Sequence, residues 1–115
     1  MTIQDVMSAV NAELLTPEAD LAREVHAACG SDMMSDVLAY VKDQAVLLTG
    51  LVNPQVVRTA MMMDMRCVVF VRSKRPTEEM IRLAEENHIA MLATERRMYE
   101  ACGTLYKNGL GSGAE

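Results

Sequence analysis

Three short apolar runs, at 45–49 (AVLLT), 67–71 (CVVFV) and 90–94 (AMLAT), recur about every 22 residues with helix-like segments between them. The first has no polar alternation, as expected of a strand covered on both faces. The second is built from β-branched Val and one aromatic, the strongest strand signal in the chain. Strand, helix, strand, helix at this pitch calls for parallel strands joined by right-handed crossovers. The expected class is α/β: a single domain with a mostly parallel sheet of about four to five strands flanked by helices.

The helical segments carry their own punctuation. Ser31 is suited to cap a helix bearing Met33, Met34, Val37, Leu38 and Val41 on one face. Asn53 precedes Pro54, whose missing N–H costs nothing at a first helical position, and the inward stripe would be Val56, Val57, Ala60 and Met61. Pro76 opens the next helix, with Glu78 and Glu79 near its positive end and Met80, Ile81, Leu83 and Ala84 inward. Thr94 would cap the last helix, with Met98, Ala101, Cys102 and Leu105 inward and Gly109 closing it.

Upstream, Ile3, Val6, Met7 and Val10 share one helical face, with Thr2 and Asp5 in a capping-box arrangement. Residues 12–16 read as a short strand ended by Pro17, joining the sheet edge antiparallel. Residues 24–29 read as a further strand stopped by Gly30. Residues 1–110 form the domain and 111–115 (GSGAE) a flexible tail.

Composition narrows the function classes. The chain has 115 residues, 50% of them hydrophobic and 23% charged, which suits one globular domain and argues against disorder. Eleven Lys and Arg against 16 Asp and Glu give a formal charge of −5, with one Phe, three Tyr and no Trp. Without a basic patch or stacking aromatics, nucleic acid is a poor partner. No apolar run reaches the ~18 residues of a membrane span, and the N-terminus lacks signal-peptide features; a cytoplasmic location is expected. Cys29, Cys67 and Cys102 are far apart and His26 and His88 isolated, so no metal-ligand spacing exists and buried free thiols are expected.

In an open parallel sheet, ligands sit outside the carboxyl ends of the strands. Those ends carry Gly30-Ser31-Asp32, Thr49-Gly50, Arg72-Ser73 and Thr94-Glu95, three of them leading to helix starts. Unpaired N–H groups and positive helix ends would converge there on an anion. The candidate ligand-binding set is Ser31, Asp32, Thr49, Gly50, Asn53 and Thr94. Capping and turn formation alone also account for each of these residue types.

Neither a dinucleotide fingerprint nor a P-loop is present, and no G-x-S-x-G elbow. Asp32 and Asp36, one helical turn apart, either share a cation or form a solvated helix start. The basic segment 72–76 (RSKRP) grips a phosphate or pairs with Glu78 and Glu79. No nucleophile and base pair is recognisable, so no catalytic residue and no cofactor are assigned. In MMMDM, Met61, Met62, Met63 and Met65 cannot all point inward from one helix end, which leaves a shared subunit surface or soft core filling.

The stretches SDMMSDVLAYVKDQAVLLTGLVNPQVVRTA, VVFVRSKRPTEEMIRLAEENHIAMLAT and MYEACGTLY resemble the DRTGG domain over roughly residues 3–110, and more narrowly its small free-standing bacterial members. Similar domains lie within some phosphotransacetylases and CBS-containing pyrophosphatases, and the N-terminal domain of HPr kinase/phosphorylase is similar. The resemblance implies an α/β domain without its own active site, homodimeric, that contributes regulation and subunit contacts. Ser31, Asp32, Ser35 and Asp36 match the family's Ser-Asp-x-x-Ser-Asp stretch, and Thr49 and Gly50 its Thr-Gly; Asn53 falls in the loop beyond. Leu51 and Val52 stand where larger relatives often carry Gly and Asp. The function expected is sensing of a small anionic ligand such as a nucleotide at the strand-end rim, the alternative being docking through the Met-rich surface.

Overall fold

The chain alternates as its periodicity demands: a computed structural model describes residues 1–39 and 44–113. Helix α1 (Ile3–Ala9) leads into strand β1 (Glu13–Leu14), and β2 (Ala27–Gly30) follows a long connection. Then come α2 (Met34–Ala39), β3 (Ala45–Thr49), α3 (Pro54–Met62), β4 (Cys67–Phe70), α4 (Glu78–Glu86), β5 (Ala90–Ala93) and α5 (Met98–Lys107). One sheet runs β1-β5-β4-β3-β2. Strands β2 to β5 are parallel, and β1 pairs antiparallel with β5 through Glu13 opposite Ala93.

Every residue of β3, β4 and β5 is buried, which explains why their sequences lack alternation. Alternation survives in which face each side chain meets. Ala45, Leu47, Val68, Phe70 and Met91 pack with residues of α2, α3 and α4. Val46, Leu48, Cys67, Val69 and Leu92 pack with Ile3 and Val6 of α1 and with Ala101 and Leu105 of α5. Strand order never reverses from β2 to β5, so crossovers of one hand put their three helices on one face. From β2 onward the chain changes face once, after β5.

Local signals explain most element ends. Thr2 and Asp5 form a full capping box, in which the Thr2 N–H holds the Asp5 carboxyl below its usual range. Asn53 caps α3 by accepting from the Gln55 N–H, with Pro54 at the first position. Gly109 takes φ +98 after α5, where the Leu110 N–H reaches back to the Leu105 carbonyl.

Several expectations need correction. Pro76 does not open α4, which begins at Glu78 with Thr77 capping it by accepting from the Met80 N–H. Arg97 stands at the cap of α5, and Thr94 makes no cap to it. Ser31 lies ahead of α2 and accepts from the Met33 N–H, building a turn. Met33 is 61% exposed and Leu38 also faces solvent, because only Met34 and Val37 of α2 turn inward; Val41 lies outside the described residues. On α3, Thr59 is buried and Met61 is exposed. Gly30 closes β2 from inside the strand, and Glu24 contributes only an isolated bridge to Thr2.

Met62 is 73% exposed, whereas Met63 and Met65 are buried and belong to the core, so only Met61 and Met62 of that cluster are surface residues. Cys67 is buried, but Cys29 and Cys102 are only half-buried. The Gly111 carbonyl accepts from the Ala28 N–H beside edge strand β2. Among the described residues, no helix is long and apolar enough to cross a membrane.

Candidate functional site

Because β2 to β5 are parallel, their carboxyl ends share one rim. On the β2–β3 side, Asp32 reaches over to the end of β3. Its Oδ1 accepts from the Gly50 N–H at 2.6 Å and from the Thr49 hydroxyl at 3.2 Å. Its Oδ2 lies 3.5 Å from Nη2 of Arg72, which comes from beyond β4. Thr49 Oγ1 also accepts from the Leu51 N–H, so this buried hydroxyl is fully engaged.

Gly50 takes no positive φ; a Cβ there would fall on the Arg72 guanidinium, so a side chain at this position would push that arginine aside. Arg72 and Ser73 both adopt left-handed backbone, φ 58 and 60, which is uncommon outside glycine. Neighbouring backbone holds them there. The Arg72 N–H donates to the Arg96 carbonyl at 2.8 Å, and the Ser73 N–H to the Thr94 carbonyl at 3.0 Å.

The turn forms one wall of a cleft of about 470 Å³ lined by Asn11, Glu13, Ser73, Arg75, Thr94 and Arg96, among others. Its position follows from connectivity. After β4 the chain crosses to one face of the sheet and after β5 to the other, so the connections diverge and leave a crevice. Arg75 meets Glu13 in a two-pronged pair at 3.1 and 3.2 Å. Those hydrogen bonds and the guanidinium charge hold the Glu13 carboxyl below its usual range. Whatever the exposed pair adds to stability is present above the ordinary carboxylate pKa and lost as pH falls through the depressed one.

The six expected residues thus divide. Ser31, Asp32, Thr49 and Gly50 come together at the ends of β2 and β3, and Asn53 is spent on capping its own helix. Thr94 lies in the adjoining cleft, where its hydroxyl donates to the Val10 carbonyl at 2.7 Å and accepts from the Arg96 N–H. Asp32 is engaged by Thr49, Gly50 and Arg72, while Asp36 is exposed one turn further on. Arg72, Ser73, Arg75 and Arg96 were not in the expected set. The RSKRP segment carries the signal for three of them, yet it pairs with Asp32 and Glu13 rather than with Glu78 or Glu79.

The chain belongs to the DRTGG domain family. The family model matches residues 5–107. No curated protein is similar enough to count as a relative. Among solved structures, the fold is similar to the CBS and DRTGG domains of the regulatory region of Clostridium perfringens pyrophosphatase, which was solved with its activator, diadenosine tetraphosphate. That similarity has a TM-score of 0.71 at 13% identity and covers 97% of this chain but 48% of the other. The DRTGG chain therefore spans about half the length of that regulatory region.

Two of the thiols of the DRTGG domain are poorly suited to act as nucleophiles. Burial pushes the Cys67 thiol up to about 12, and burial followed by the Cys29 charge raises that of Cys102, so both stay protonated near neutrality. No group of three His, Cys, Asp or Glu able to hold a metal occurs among the described residues. A second cavity of about 500 Å³ lies at the opposite pole, beneath Thr16, Glu18, Arg23, Glu85 and His88. It is slightly larger than the rim cleft but less suited to an anion, with three carboxylates against one arginine where the rim cleft sets Glu13 and Glu95 against Arg75 and Arg96. Glu18, Asp20 and Glu85 line it, the negative end of α4 lies beside it, and Arg23 is committed to the His88 carbonyl.

Proposed function

We propose that this DRTGG domain is a non-catalytic regulatory module that binds a small anionic ligand, of nucleotide class, at the strand-end rim. One observation carries the reading: the cleft of about 470 Å³ where β4 and β5 part company, with arginines from two loops around it. Its volume is within the range of small-molecule sites, and Ser73, Arg75 and Arg96 line it with a hydroxyl and two guanidinium groups; the Gly50 N–H and the Arg72 guanidinium lie further along the same rim, on Asp32. The nucleotide activator bound by the pyrophosphatase regulatory region supports the ligand class. Titration calorimetry with mononucleotides and diadenosine tetraphosphate tests it. At least one should bind, and Gly50→Val, by displacing Arg72, should weaken it about tenfold or more. Silence at millimolar ligand across the panel contradicts the reading.

A second reading is favoured by a different observation. Met33 just ahead of α2, Leu38 on α2, and Met61 and Met62 on the neighbouring α3 leave apolar side chains exposed. A homodimer or a partner enzyme would cover them. If a homodimer does, sedimentation should show the wild type as a dimer and Met62→Glu as a monomer. A monomer in both cases removes the homodimer.

A further inference from the structure

We propose that Asp32 is a built-in counter-anion: it occupies the receiving groups of the rim, and an incoming phosphoryl group must displace it. This rests on reading the rim as an anion site. Three donors from two different strand ends converge on this single carboxylate: the Gly50 N–H, the Thr49 hydroxyl and the Arg72 guanidinium. A phosphoryl oxygen makes the same demands as a carboxylate oxygen, with more charge. The donor set is what an anion receptor needs, and it is already filled from within.

The geometry makes exchange easy. The side chains of Asp32 and Arg72 are 43% and 44% exposed, so a ligand reaches both without opening the core. At 3.5 Å and half in water the ion pair is weak. Gly50 contributes no side chain, so the vacated space above its N–H would admit an oxygen. Arg72 is also the hinge of the arrangement. Its backbone N–H is tied to Arg96 beside the cleft while its side chain faces Asp32, so one residue serves both halves of the rim.

Occupation by Asp32 has a consequence for affinity that a merely structural tie does not. Removing its charge should weaken its hold on the donors and lift a like-charge repulsion against the ligand. Asp36, exposed one turn further on, supplies a control for net charge. Inorganic pyrophosphate is the probe, titrated by calorimetry at low ionic strength. Asp32→Asn should bind it about tenfold tighter than wild type, Asp32→Ala at least as tightly, and Asp36→Asn within about twofold of wild type. Adding Arg72→Gln to Asp32→Asn should abolish the gain.

Three results go the other way. Equal or weaker binding by Asp32→Asn, with binding to wild type still dependent on Arg72, overturns the counter-anion and leaves the rim site standing. An equal gain in Asp36→Asn reduces the effect to bulk charge and likewise overturns it. No binding by any variant at 10 mM probe, on the order of the weakest specific affinities, overturns the rim site together with the inference. Thermal melts of each variant establish that the folded protein is being titrated.

Discussion

Phe70→Ala is expected to lower the unfolding free energy by about 3–5 kcal/mol, the largest single-residue loss in the molecule. Phe70 is the only phenylalanine and is fully buried. It sits at the end of β4, against the core beneath α2, α3 and α4. The aliphatic and methionine neighbours around it would collapse only partly into the space. Its backbone matters as well, since the Phe70 carbonyl accepts from the Thr94 N–H and so sets the β4–β5 rim. Urea denaturation measures the effect. A loss under about 1 kcal/mol would mean that the two-faced packing described for β4 is wrong.

Thr94→Val should cost about 1–3 kcal/mol even though it preserves side-chain volume. The Thr94 hydroxyl is buried, donates to the Val10 carbonyl at 2.7 Å and accepts from the Arg96 N–H at 3.2 Å. Valine leaves both partners without it. The tie joins the end of α1 to the turn that begins α5, so its loss should loosen the floor of the cleft from both sides. Denaturation and nucleotide titration of one preparation separate two roles. Lost stability with ligand affinity kept marks a structural strut. Stability kept with affinity lost would make Thr94 a ligand contact instead.

These residues show where the sequence is informative and where it is not. The apolar runs, the Asn53-Pro54 start and the Thr2/Asp5 box are local signals, and each lies where it was expected. The antiparallel joining of residues 12–16 was also legible, although only Glu13–Leu14 form the strand. What escaped is long-range. Asp32 and Gly50 lie 18 residues apart, and nothing local announces that the carboxylate will cap another strand's end. Thr94 looks like any helix cap because its true partner, Val10, is 84 residues away.

The methionine cluster divided for a geometric reason. Met61 and Met62 fall on the outer side of the last turn of α3, while Met63 and Met65 follow the chain inward toward β4. The basic segment was visible as charge, but its left-handed turn was not. Arg72 and Ser73 are held at positive φ by carbonyls of the 94–96 loop, a constraint supplied by the neighbouring strand.

On the proposed reading, the diverging ends of β4 and β5, together with the Asp32 node, form the ligand-facing side of the molecule. Amide chemical-shift mapping with diadenosine tetraphosphate tests it most directly, because it reports location without assuming a mechanism. Shifts should concentrate at Gly50, Arg72, Ser73 and Thr94. Shifts confined to Arg23, His88 and Ile89, at the opposite cavity, would contradict the claim.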